Sequence, residues 1–228
     1  MDREHSQVNN LLAEATNLIR REKEATGNVE PAEGYKRRQI EELKLFATQH
    51  NLWININSLP LSYLSKGGEN EVFTGHEDVV FKLNNFEYAG EDLENFFIRI
   101  EAHNLFFSNV TYQMIGFAYN SQYEFCAVLV QPYVRAKREA TEEEIAEHMQ
   151  ALGFEMVYED EYHNAEYEVF DAVPNNVLYG IDDKLYFIDT QIRFRPIEIT
   201  RRSTPVRKPF SKTPRSGFRS VRDGVWFP

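Results

Sequence analysis

The chain has 228 residues, 42% of them hydrophobic and 27% charged, with a formal net charge of −11. That length and apolar content suffice for a packed globular core, and the acidic balance argues against nucleic acid as the main partner, since its phosphates would be repelled over most of the surface. The charge is uneven: from residue 191 onward ten Lys/Arg stand against two Asp/Glu, which leaves fifteen against thirty-four in residues 1–190, so only the basic C-terminal segment suits a polyanion.

Ser6 can cap a first helix carrying Leu11, Leu12, Ala15, Leu18 and Ile19 at helical spacing and ending near Gly27. A second helix, after Pro31, presents Ile40, Leu43, Phe46 and Ala47 and runs to about His50. Residues 1–50 are expected to pack on the domain that follows, with a partner or dimer interface as the alternative. From Leu52 the period becomes extended, and residues 52–57 and 61–64 read as short strands. Gly67-Gly68 then turns the chain into a strand at 71–74, and Gly75 to Asp78 turns it into 79–83. Paired glycines make a tight turn or let backbone approach a ligand. Lys82 is the lone cation of an otherwise apolar strand, so it needs an anionic partner or a route to water. A helix over 91–107 opens with acidic residues. Its Glu94 and Glu101 lie seven apart on one side, and either could offer Lys82 a carboxylate.

Residues 111–118 and 123–130 form a hairpin around Tyr119-Asn120-Ser121-Gln122. Cys126 lies in the second of these strands; as the only cysteine it cannot form an internal disulfide, which fits a reducing compartment. Pro132 is expected to end sheet pairing and leave Gln131-Pro132-Tyr133 as a connector with free backbone groups. Thr141, with Glu144 three residues on, caps a helix to about Leu152. Strands at 154–158 and 167–170 flank the acidic turn Glu159-Asp160-Glu161. Asp171 ends the second of these, Asn176 opens a short hairpin, and Asp189 closes its return strand. A hairpin brings its ends together, so Asn176 and Asp189 can offer hard oxygen donors to one divalent cation. Residues 196–228 lack periodicity and read as an irregular basic tail expected to lie on the acidic body. With no apolar leader and no stretch of spanning length, the expectation is a cytoplasmic protein without a membrane partner.

A glycine turn, a strand lysine, an acidic helix, two strands, a proline-bearing connector and then Asp, Asn and Asp follow one another in an order that resembles the protein-kinase fold. Gly67-Gly68 loosely matches the phosphate-covering loop and Val79-Val80-Phe81-Lys82 matches the Val-Ala-Ile-Lys strand. More narrowly, Gly68-Glu69-Asn70-Glu71-Val72, His103-Asn104, Val130-Gln131-Pro132, Asn175-Asn176 and Tyr186-Phe187-Ile188-Asp189 are similar to the kinase-like domain of polyvalent proteins from phages and conjugative elements, over roughly residues 40–194. The resemblance implies an α+β fold over 51–195: an antiparallel N-lobe sheet with one helix, an adenine hinge, and a minimal C-lobe with a β-hairpin catalytic loop. It implies ATP and Mg2+ as cofactors and an unidentified protein acceptor. Lys82 would hold the α/β-phosphates, steadied by Glu101, while Asn176 and Asp189 would hold the metal and Asp171 would take the proton of the acceptor hydroxyl. Gly67 and Gly68 would cover the phosphates. Gln131 and Tyr133 would meet adenine through their backbone, between Val72, Val80, Leu178 and Ile188. Departures from the pattern are Val169-Phe170 before Asp171 in place of His-Arg, Thr190-Gln191 after Asp189 in place of Phe-Gly, and no helical substrate lobe. A pseudokinase that binds nucleotide or a partner without transfer is therefore the alternative, and a small-molecule kinase with the same Asp-to-Asn spacing is a third reading.

Overall fold

A computed structural model describes residues 2–25, 34–75 and 78–195; the expected basic tail lies outside the described residues. Helix α1 (Asp2–Ala25) starts ahead of Ser6, which therefore sits inside the helix instead of capping it, and α2 (Tyr35–Gln49) follows. Both apolar stripes are covered. Leu11, Ala15, Ile19, Leu43 and Ala47 share one core with Leu93, Phe96, Phe97 and Phe117 from the body, so the two helices are part of the folded unit.

Five strands come next, β1 (Ser62–Lys66), β2 (Asn70–Thr74), β3 (Val79–Asn84), β4 (Gln113–Tyr119) and β5 (Phe125–Pro132). They form an antiparallel sheet in the order β1-β2-β3-β5-β4. Between β3 and β4, helix α3 (Glu94–Phe106) crosses one face and buries Phe96, Phe97, Ile100 and His103. Leu83, Ala118, Cys126 and Val128 make a smaller core on the other face. Strand β5 is thus covered on both sides, which is why residues 125–130 are an unbroken apolar run. Burial pushes the Cys126 thiol up to about 12, so it behaves as a small hydrophobe.

Two expectations about this sheet need correction. Residues 52–57 do not form a strand: Ile54 N–H donates to Phe117 O at 2.8 Å, Phe117 N–H donates to Leu52 O at 2.9 Å, and the chain then closes a 3-10 turn over Ile56–Ser58. Gly116 permits this close approach, since a Cβ there would collide with Leu52 O. Pro132 does not end the pairing either. It lies opposite Val79, and Tyr133 N–H donates to Asp78 O at 2.7 Å. A proline removes only its own donor, and the next amide restores the ladder.

The chain then supplies β6 (Ala136–Glu139), α4 (Glu142–Ala151), β7 (Glu155–Tyr158), β8 (Glu161–His163), β9 (Tyr167–Phe170), β10 (Val177–Gly180), β11 (Leu185–Phe187) and β12 (Gln191–Phe194). Thr141 caps α4 as its sequence predicts: its Oγ1 accepts from Glu144 N–H at 3.3 Å and Glu144 Oε2 accepts from Thr141 N–H at 2.9 Å. Strands β11-β10-β6 form a second antiparallel sheet and β12-β9-β8-β7 a third. Glu161, expected in a turn, opens β8, because Tyr162 pairs with Met156 and Val169 on either side and buries its ring. Phe107, Ile145, Met149, Phe154, Val169, Phe187 and Ile192 form the core beneath these sheets. The described residues thus hold four α-helices and three antiparallel sheets, an α+β architecture compatible with a compact kinase-like fold. No helix among them is long and apolar enough to cross a membrane.

Candidate functional site

Strand register decides which side chains share the face carrying Lys82. Val72 and Leu129 lie opposite Lys82, Val80 is two residues before it, and Gln131 lies opposite Val80. Cross-strand partners and residues two apart point the same way, so all five line one face. A second register brings the polar ends together. Val177 pairs with Phe187 in the β10–β11 hairpin, and Ile188 N–H donates to Asn176 O at 2.9 Å. Asn176 and Asp189 therefore stand at the hairpin's open end. Phe170 pairs with Gln191 between β9 and β12, and extending that register by one residue sets Asp171 beside Thr190. Asp171 has a left-handed φ of 59°, which aspartate tolerates better than most residues. Its carbonyl accepts from Asn176 Nδ2 at 3.0 Å, and the next amide, Ala172 N–H, donates to Asp160 O at 3.2 Å.

Lys82 is 6% exposed, and all three of its ammonium donors are used. Nζ donates to Ile188 O at 2.7 Å, Asp189 Oδ1 at 3.0 Å and Tyr112 Oη at 3.1 Å. Burial alone would lower its pKa, but Tyr112 and Asp189 more than offset this and hold it above the ordinary lysine value. The Tyr112 hydroxyl donates onward to Ile188 O at 2.8 Å. Burial raises its pKa first of all, and the Asp189 charge adds to this, so it is a neutral phenol near pH 7. Asn104 clamps the Tyr112 backbone, accepting from its N–H at 2.7 Å and donating to its carbonyl at 2.8 Å. The His103 ring packs 4.5 Å from the Tyr112 ring. Its Nε2 lies 2.8 Å from Phe187 O; a carbonyl only accepts, so Nε2 carries the proton. Burial pushes the His103 pKa down to about 4, which makes it neutral as well. A cavity of about 30 Å³ behind Asp189 is lined by His103 and Thr190. It has room for about one water, which would serve His103 Nδ1 and Thr190 Oγ1, two buried atoms without a protein partner.

The expected pairing of Lys82 with a glutamate of α3 is not what the structure shows. Glu101 is exposed and accepts from Thr16 Oγ1 at 3.3 Å, while Glu94 pairs with Arg20 at 2.8 Å and Lys23 at 2.9 Å. Both carboxylates lie on the side of α3 that α1 covers. Tyr112 occupies the role at Lys82, and residue spacing alone did not single it out. Gly67 and Gly68 make the tight turn, with Gly67 N–H donating to Asn70 O at 2.8 Å, and a Cβ on Gly68 would strike Tyr88 Oη. The next residue, Glu69, is tied at 3.0 Å to Arg99, which also donates to Gln191 at 3.0 Å. Gln131 Nε2 donates to Val110 O at 2.8 Å and Tyr133 is exposed. Val72, Val80, Leu178 and Ile188 are half-buried.

The donor set suits a magnesium-bound nucleoside triphosphate: a fixed ammonium, a half-exposed carboxylate on Asp189 and the amide oxygen of Asn176 are hard, oxyanion-compatible groups. Among the described residues no group of three or more His, Cys, Asp or Glu is placed to hold a metal by itself, so phosphate oxygens would have to complete the shell. Residues 36–196 match the model of a family described as Serine/Threonine/Tyrosine Kinase found in polyvalent proteins. No curated protein and no solved structure matches the chain significantly.

Proposed function

The chain belongs to the Ser/Thr/Tyr kinases found in polyvalent proteins, and on this premise we propose that it is an ATP- and Mg2+-dependent phosphotransferase acting on protein hydroxyls. The observation that carries the reading is the junction of Lys82 with Ile188 and Asp189 at the open end of a hairpin that begins at Asn176. Phosphoryl transfer asks a protein mainly for positioning and charge neutralisation. Lys82 would hold phosphate oxygens, fixed in place by Tyr112 and the Ile188 carbonyl. Asn176 and Asp189 would hold Mg2+, which when bound supplies positive charge against the developing phosphate charge. Val72, Val80, Leu178 and Ile188 would wall the adenine. Asp171 would orient the acceptor hydroxyl and take its proton, while the hydroxyl oxygen bonds to the γ-phosphorus and the bond from that phosphorus to the β,γ-bridging oxygen breaks, releasing ADP. The test is phosphate transfer by wild type, Asp171→Ala and Asp189→Ala; equal labelling by all three would reject the assignment.

One observation favours a second reading, a nucleotide-binding pseudokinase. Every Lys82 donor already has a protein partner, so phosphate must displace one. Magnesium-ATP binding without turnover in the wild type would select this reading.

A further inference from the structure

The acceptor side of the site has its own surface features. Register places three chain ends around Asp171: Phe170 lies opposite Gln191 on one side, and on the other Tyr162 lies opposite Val169, so Asp160 adjoins Asp171, as the Ala172 N–H to Asp160 O bond requires. The β7–β8 turn therefore sits at the mouth of the site, and β7 runs straight to it. Among the described residues β7 is the edge of its sheet. It is exposed along its length, with Met156 54%, Val157 44% and Tyr158 67% accessible. An exposed edge strand presents unpaired backbone groups to a further strand, and residues 155–170 hold six Asp/Glu and no lysine, arginine or proline, so this edge repels an acidic strand and admits a basic one. A groove of about 330 Å³ starts at Val157 and Tyr158 and crosses this sheet past Glu161 and Phe170 to Arg193 and Arg195. Of its two arginines, Arg193 is neutralised by Glu168 at 3.0 Å, while Arg195 donates to the Asn164 carbonyl at 3.2 Å and keeps its charge at the end of the groove away from β7.

We propose that β7 and this groove dock the phosphate acceptor as an extended basic segment, which adds a strand to β7 and presents its Ser or Thr to Asp171. Charge complementarity names the occupant: an acidic rim attracts Lys/Arg and repels an acidic peptide, and the unpaired edge supplies backbone hydrogen bonds for an extended chain. The role as acceptor dock rests on the phosphotransfer reading above; docking of the segment does not. This chain's own sequence contains a segment of that chemistry, residues 200–220, with seven Lys/Arg, no Asp/Glu and several Ser/Thr.

The probe is a synthetic peptide of residues 200–220 added at saturation to the full chain and to Glu159→Lys/Glu161→Lys. Hydrogen exchange at the β7 amides reads docking without any catalysis. It is expected to be about tenfold or more slower in wild type than in the double variant; equal rates overturn the proposal. Phosphate transfer to the same peptide reads the acceptor role, with peptide KM expected to rise about tenfold in the variant while KM for ATP stays within twofold. An unchanged peptide KM, or preference for a peptide with Glu in place of each Lys/Arg, also overturns it. Absence of transfer to any peptide, alongside slowed β7 exchange, rejects the kinase reading and leaves the docking surface standing.

Discussion

Two lysines of this chain meet carboxylates in opposite ways. Lys23, on the outside of α1, pairs with Asp92 at 2.8 Å and Glu94 at 2.9 Å while its own side chain is 34% exposed. Those two hydrogen bonds raise its pKa well above the ordinary value. Lys82 has one carboxylate, itself half exposed, and fills its remaining donors with a phenol and a peptide carbonyl. The first arrangement cancels charge and fastens two helices. The second fixes an ammonium by neutral oxygens and leaves its one anion at the solvent edge, where a cation can compete with the ammonium for Asp189 and a phosphate can compete with Asp189 for the ammonium. Neutral partners hold position without consuming the charge that anion binding needs.

The largest effect expected from breaking this contrast is at Asp189. Asp189→Asn keeps an acceptor for Lys82 but removes the carboxylate, so transfer should fall by roughly 10²–10³-fold while the fold is retained. Radiolabel transfer with circular dichroism on the same samples checks both parts. A variant that is active at the wild-type rate would place the site elsewhere.

Next in size is a pH effect from the neutral packing behind Lys82. Folding lowers the His103 pKa from 6.5 to about 4, so between those values the unfolded chain binds the extra proton. His103 therefore contributes its full stabilisation above about pH 6.5 and loses it as the pH falls toward 4, by about 3 kcal/mol in all. Urea unfolding at pH 7 and pH 4.5 measures this, and the portion assigned to His103 should vanish in His103→Gln. Tyr112→Phe is smaller. It strips one donor and one acceptor from the Lys82 junction, so kcat/KM for ATP should drop about tenfold with a stability loss of about 1–3 kcal/mol. Rescue is not expected from any carboxylate on α3, because none faces Lys82.

Much of this site was legible from residue types. A single cation in an apolar strand demanded a partner, and an Asn and an Asp bracketing a short hairpin could be expected at its open end, where Ile188 N–H meets Asn176 O. What stayed hidden depended on contacts far apart in sequence. Tyr112 lies 30 residues from Lys82, with nothing in local periodicity to connect them. The helical wheel of α3 put Glu94 and Glu101 on a common side but could not say which element would face it; α1 does so, through Arg20 and Lys23 at Glu94 and through Thr16, 85 residues before Glu101, at an otherwise exposed Glu101. The Pro132 expectation failed for a local reason, because sheet pairing lost at a proline can resume at the next amide. The resemblance to polyvalent-protein kinases was legible in phrases over residues 40–194, close to the 36–196 that the family model matches.

On the α1 face the effects should be confined to stability. Glu94→Gln weakens pairs with Arg20 and Lys23 whose cations are about 43% and 34% exposed, so solvent screening limits the cost to about 1 kcal/mol, readable as a small shift in urea midpoint with unchanged kcat.

Glu101→Gln should have the smallest effect of all, and it discriminates most sharply between two ways of building the site. If a helix glutamate held Lys82, its removal would leave a buried ammonium short of an anion, and transfer would fall by roughly 10²-fold. Glu101 instead stands in solvent and accepts a single 3.3 Å bond from Thr16, which glutamine can also accept. Activity within about twofold of wild type, at unchanged KM for ATP, is therefore expected. Combining it with Tyr112→Phe extends the test. Residues that do not share a partner are additive in free energy, so the double variant should lose no more than Tyr112→Phe alone, whereas a further loss beyond twofold would mean that α3 turns Glu101 toward Lys82 when nucleotide binds.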